Sequence, residues 1–173
     1  MDAANLVFLD ESGLNLGMTR LYGRAYKGER VVDYIPDIRF QRISVISSVR
    51  LDGTCVAMSF NGALDGELFK KYLEEFLVPS LRSNDIVIMD NLSSHKVAGV
   101  ISIIEKAGAK VLYLPPYSPD LNPIEMMWSK IKAYLRKVKA RTSETLSEAL
   151  AIALKNVNDL DINGWFKCSG YSV

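Results

Sequence analysis

Apolar residues in this chain come in two patterns, and each predicts a different kind of element. Leu6-Val7-Phe8-Leu9 closes on Asp10, and Ile86-Val87-Ile88-Met89 closes on Asp90. Short continuous runs bounded by polar residues predict buried strands. Ser12-Gly13 and Gly17 interrupt the first run, and Gly23 and Gly28 predict a short hairpin or loop over residues 22–34 that reaches an extended piece near Val31-Val32. Residues 43–51 and 54–60 flank Asp52-Gly53, which predicts a two-residue hairpin, and Asn61-Gly62 ends it. Residues 110–114 supply a fifth strand.

The second pattern has helical spacing. Phe69, Tyr72, Leu73, Phe76 and Leu77 share one helical face, with Asp65 as cap and Pro79 at the end. Val97, Val100, Ile101 and Ile104 predict another helix, capped by Ser93 or Ser94 and ended by Gly108. After the rigid Pro115-Pro116-Tyr117-Ser118-Pro119 loop, Asn122 caps a helix with Pro123 at its first position that runs to about Val138. Leu146, Ala149, Leu150, Ala153, Leu154 and Val157 predict one more. Hairpin strands must be antiparallel, and helix-connected strands pair in parallel by right-handed crossovers. The expected fold is α/β: a mixed five-stranded sheet, three antiparallel strands then two parallel, with helices on both faces.

Composition narrows the class. The 173 residues suffice for one domain, and we expect one spanning residues 1–173. No apolar run approaches a membrane span, and the N-terminus lacks the basic region and cleavage site of a secretory signal. Cys55 and Cys168 form neither a disulfide framework nor a metal-ligand spacing, so a reducing cytoplasm is expected. Net charge is only +1, but it is unevenly spread. Residues 126–141 hold six bases (Lys130, Lys132, Arg136, Lys137, Lys139, Arg141) and no acid. Arg20, Arg24, Lys27 and Arg30 form a second basic stretch. Either stretch alone can be a solvated face; the first follows directly on Glu125, which favours phosphate contact.

The candidate chemistry lies in three acids. A buried strand that ends in a carboxylate is unusual, because the ionised group is costly to desolvate unless paired or bound to metal. Asp10 and Asp90 both end such strands, and Glu125 stands just inside a helix. Each has a plainer reading: Asp10 and Asp90 as turn formers, and Glu125 as the third-position partner of Asn122 in a capping box. Together they are the parts needed to hold two divalent cations for phosphodiester chemistry. His95 is the only histidine. It is expected to support the Asp90 loop, with phosphate contact as the alternative, and Asn91 to shape the same turn or orient a metal-bound water. Glu11 should point away from Asp10 across the strand, and Trp128 and Ile131 should be core.

Three segments, Phe8-Leu9-Asp10-Glu11-Ser12-Gly13, Met89-Asp90-Asn91 with His95, and the stretch from Leu114-Pro115-Pro116-Tyr117-Ser118-Pro119 to Asn122-Pro123-Ile124-Glu125, resemble the catalytic domain of mariner-superfamily DDE transposases, in the branch of bacterial insertion sequences. The 34 residues between Asp90 and Glu125 fit that branch, and Gly164-Trp165-Phe166 with Gly170-Tyr171 resembles how such domains end. The resemblance implies a ribonuclease H-like fold and two Mg²⁺ ions, replaceable by Mn²⁺, held by Asp10, Asp90 and Glu125. It implies hydrolysis and strand transfer on DNA, at element ends and a TA-containing target, by a homodimer in a bacterial or archaeal nucleoid. Lys130, Lys132, Arg136 and Lys137 are the candidate DNA-backbone contacts. Helix-turn-helix recognition modules usually precede the first strand in this family. Their absence here predicts a split transposase with a separately encoded N-terminal half, or a truncated copy. Tyr26 also stands where the family often has Trp. Two other readings stay open: a non-catalytic DNA-binding remnant, and a receiver-type phosphoacceptor domain, which would need a wholly parallel sheet and a lysine after the fifth strand.

Overall fold

The computed structural model describes residues 2–34 and 42–172. The antiparallel part of the sheet is a meander: β1 (Leu6–Asn15), β2 (Arg42–Arg50) and β3 (Cys55–Asn61) pair in succession. β4 (Ile86–Met89) then joins β1 in parallel, and β5 (Lys110–Tyr113) joins β4 in parallel. The order is β3-β2-β1-β4-β5, so β1 is central. This is the expected mixed sheet, and its antiparallel half rules out a receiver-type domain.

Alternation along β1 divides the interior in two. Leu6, Phe8 and Leu14 face one core, while Val7 and Leu9 face the other. The first core is closed by α3 (Pro123–Val138), α4 (Ser143–Lys155) and α5 (Asp159–Cys168), through side chains such as Met127, Trp128, Ile131, Leu150 and Phe166. Trp128 and Ile131 are core, as expected. The second core lies beneath α1 (Gly66–Tyr72) and α2 (Val100–Lys106), where Phe69, Tyr72, Leu73, Val100 and Ile104 are buried. Asp65 caps α1, its carboxylate accepting from Leu68 N–H at 2.8 Å.

Several expectations need correction. The hairpin loop has three residues: Arg50 N–H donates to Thr54 carbonyl, and Gly53 takes φ +88° at the position that needs it. Val31 and Val32 form no strand and are exposed. α1 does not run regularly to Pro79, because Leu73–Leu77 widens to a π turn and Val78–Ser80 tightens to a 3-10 turn. Neither Ser93 nor Ser94 caps α2: Ser93–Lys96 forms a separate 3-10 turn, Val97 is extended, and Gly99 at φ +98° starts the helix. Ile101 therefore points outward. α4 stops at Lys155, short of Val157, and sequence reading missed α5 as a separate helix. Asn158 and Asp161 close a capping box at its start.

At the end of the sheet away from Asp10, a buried ion pair joins β2 to the approach to β4. Arg50 donates to both oxygens of Asp85, at 2.5 and 2.7 Å, with both side chains buried. Arg82 N–H also donates to Asp85, at 2.7 Å.

Candidate active site

Parallel register sets up the acidic edge. Asp10 lies inside β1, paired with Ser47, and not at the strand's end as expected; Phe8 pairs with Ile88, so two residues further on Asp10 is level with Asp90, just past the end of β4. Asp10 is 9% exposed. Its carboxyl is pushed up to about 8, first by burial, then by the charges of Glu11 and Glu125 and, more weakly, Asp90. The lowering by a backbone N–H is too small to offset them. Asp90 goes the other way. Burial would raise it, but His95 and the Leu92 N–H, which donates at 3.0 Å, hold it below the usual carboxylate value. Without metal, Asp10 is thus disposed to keep its proton and Asp90 to lose it.

Glu125 lies in the first turn of α3 and is exposed. Asn122 makes no side-chain cap bond, and its buried side-chain oxygen Oδ1 has no partner among the described residues. The capping-box account of Glu125 thus loses its first half. The turn ahead of α3 is pinned instead by the C-terminal segment: Tyr171 packs on Phe8 with ring centroids 4.9 Å apart, and its hydroxyl donates to Leu121 carbonyl at 2.8 Å. Sequence reading assigned Tyr171 no such role. Asn91 spans the ends of β4 and β5, its amide donating to Leu114 carbonyl.

His95 is wholly buried on the other face of the sheet, its ring 4.6 Å from that of Phe69. Nδ1 lies 2.8 Å from Asp90 Oδ1 and Nε2 lies 3.4 Å from Glu11 Oε2. Neither contact is aligned as a hydrogen bond, so both are ion contacts. Burial alone would lower the imidazole, but Asp90 and then Glu11 outweigh it and raise it to about 9. Glu11 indeed points away from Asp10. A cleft of about 380 Å³ opens on that side, lined by Glu11, Ser12, Arg42, Leu92, Ser93 and Ser94 among others.

The basic residues part company. Lys130 is bound by Asp161 and by Asn156 carbonyl, which ties α3 to the last two helices. Among the described residues, Lys132, Arg136 and Lys137 enter no ion pair. Lys137 and Lys139 line a cleft of about 690 Å³ with Arg20, Tyr22 and Arg24. At 1.5 Å per residue, Lys137 lies roughly 18 Å along α3 from Glu125.

Among the described residues, no three carboxylate, imidazole or thiolate groups stand close enough together to hold one ion. The donor set still suits a hard divalent cation. Mg²⁺ binds through one or two carboxylates and leaves its other positions to water and phosphate, and Asp10 has a proton that a cation can displace.

The strand order and the acidic edge together define a ribonuclease H-like domain. Residues 5–147 match the family described as DDE superfamily endonuclease, and the chain belongs to that family. It is 29% identical over 100 residues to the transposable element Tcb1 transposase of Caenorhabditis briggsae, a stretch covering 56% of this chain and 37% of that protein. Among solved structures, it resembles Mos1 transposase in a paired-end complex with the left transposon end: TM-score 0.75, 18% identity, 98% of this chain and 56% of that one. It also resembles the Mos1 catalytic domain solved with raltegravir and Mn: TM-score 0.68, 16% identity, 99% of this chain and 86% of that one. The chain thus spans about a third to a half of the full-length proteins it matches.

Proposed function

We propose that this chain is the catalytic domain of a DNA transposase. It would cut phosphodiester bonds by divalent-metal-dependent hydrolysis and join the 3′-hydroxyl end to a TA-containing target. The observation that carries this reading is the acidic edge: Asp10 on β1 stands level with Asp90 just past the end of β4, and Asp10 feels the charge of Glu125 from α3. Mos1 structures with Mn and with Mg support a divalent cation.

Asp10, Asp90 and Glu125 would hold two Mg²⁺ ions, with Mn²⁺ able to substitute; once bound, they supply charge neutralisation at the scissile phosphate and an activated attacking oxygen. Asp90 is the preset member, ionised and oriented by Leu92 N–H and His95. Asp10 would give up its proton to the cation. Glu125, exposed on the first helical turn, would supply the third carboxylate. Asn91 holds the ends of the two parallel strands at one level. Lys132, Arg136 and Lys137 would contact the DNA backbone; Lys130 leaves that set because Asp161 engages it. A homodimer joining two element ends completes the proposed assembly in a bacterial or archaeal nucleoid.

The test is nicking of an element-end duplex by a complex that supplies the recognition modules, wild type against Glu125→Gln, with thermal melts alongside. Glutamine keeps size and hydrogen bonding but not charge. Stability should change by less than about 0.5 kcal/mol, as for a surface site, while nicking falls to background. Retained nicking would remove Glu125 from the site. Wild-type binding without nicking would favour a DNA-binding remnant.

A further inference from the structure

We infer that Glu11 is a positioning residue for the acidic edge and acts on Asp90 through His95, from the opposite face of β1. The inference rests on the reading of Asp90 as a metal ligand. Strand alternation sends Asp10 toward α3 and Glu11 toward α1. His95 stands there beside the end of β4 and the middle of β1, with Asp90 2.8 Å from Nδ1 and Glu11 3.4 Å from Nε2. The chain Glu11–His95–Asp90 therefore runs beneath the edge from β1 to the end of β4.

Three observations make this more than proximity. Glu11 Oε2 is buried, with no hydrogen-bond partner among the described residues, so His95 is the polar group it meets. The ring lies against Phe69, which limits its tilt. The backbone of the turn is fixed as well, since Tyr113 hydroxyl donates to His95 carbonyl at 3.0 Å and His95 N–H donates to Leu92 carbonyl at 3.1 Å. With ring plane and backbone set, the contact at Nε2 decides which way Nδ1 faces. Nδ1 in turn holds Asp90 Oδ1, the same oxygen that accepts from Leu92 N–H. Groups that orient a metal ligand from behind are worth about 10- to 100-fold in metal affinity.

The experiment uses this chain with Mn²⁺ alone, titrated calorimetrically into wild type, Glu11→Ala, Glu11→Gln, His95→Phe and the double variant Glu11→Ala/His95→Phe. Glu11→Ala should weaken Mn²⁺ binding by about tenfold or more. Glu11→Gln keeps the size of the side chain but not the charge of the ion contact, and should weaken Mn²⁺ binding nearly as much as Glu11→Ala. In the His95→Phe background Glu11→Ala should add nothing, a pattern that loss of fold stability would not produce. Because His95 is the sole histidine, its ring nitrogens give one NMR spin system in metal-free protein. Glu11→Ala should move the Nδ1 signal as well as Nε2, and this arm holds even if His95→Phe fails to fold. Equal Mn²⁺ affinity of Glu11→Ala and wild type, an equal loss in both backgrounds, or an Nδ1 signal blind to Glu11→Ala would overturn the inference. A wild type that binds no Mn²⁺ would overturn the metal reading itself, and this inference with it.

Discussion

Asp10 and Asp90 share an edge but hold protons with opposite strength, and that difference has a measurable sign. Asp10 rises from 3.8 to about 8 and His95 from 6.5 to about 9 in the fold. In both cases the folded state binds the proton more tightly than the unfolded chain. The stabilisation is complete below the unfolded value and is lost as pH climbs through the folded one. Without metal, the melting temperature should therefore decline between about pH 5 and 9. A divalent cation competes with the Asp10 proton, so stabilisation by millimolar Mg²⁺ should grow over the same range. Melts across pH 5–9 with and without Mg²⁺ check both trends; a metal-free curve that rises with pH would contradict the assigned environments. The acidic residues were legible in the sequence, because a carboxylate closing a buried run is costly without a purpose. The Glu11 contact was legible only in part. Alternation put Glu11 on the far face, but nothing in the sequence said that His95 would be there to meet it.

At the scale of elements, the fold anchors its parallel pair at the end away from the chemistry. The Arg50–Asp85 pair is bidentate and fully buried, and Asp85 also takes Arg82 N–H. Removing one partner leaves an uncompensated charge in the interior. Asp85→Ala should cost about 3–5 kcal/mol, measured by denaturant unfolding; replacing both partners with apolar residues of similar volume should cost much less. If Asp85→Ala unfolds at the wild-type midpoint, the pair contributes nothing net. Elements with dense apolar patterns were readable: β4 and α3 stand close to where their runs predicted, and β1 starts at Leu6 as expected but continues through Ser12-Gly13 to Asn15, because its pairing with β2 carries it past the apolar run. Sparse patterns were not. α5 buries Ile162 and Phe166 but also carries Asn163 and Gly164, too thin a stripe for periodicity to detect. The region before α2 misled for the opposite reason. Val97 and Val100 fit helical spacing, but Gly99 breaks the backbone between them.

On the scale of the whole molecule, a net charge of +1 hides a polar arrangement: acids at one end of α3, and bases along it toward the cleft of Arg20, Arg24, Lys137 and Lys139. DNA binding by this chain alone should be weak, tolerant of sequence and steep in salt. Exchanging Lys132, Arg136 and Lys137 together for Gln should lower the log–log salt slope by about 0.9 per lost phosphate contact, on every duplex alike. Lys130→Gln should leave the slope unchanged and loosen the packing of α5. Fluorescence anisotropy over a salt series measures both; a slope that ignores the triple exchange would show that α3 does not meet the backbone. No helix among the described residues is long and apolar enough to cross a membrane. The sequence by itself determined the order of the five sheet strands and of α1 to α4, the antiparallel-then-parallel character of the sheet and the three acids, because apolar period, turn chemistry and desolvation cost are local properties. Tertiary structure alone decided which groups meet. It tied Lys130 to Asp161, Tyr171 to the turn before α3, and His95 to two carboxylates on different strands. Those contacts join residues far apart in the chain, and their partners follow from register and packing, which no local pattern specifies.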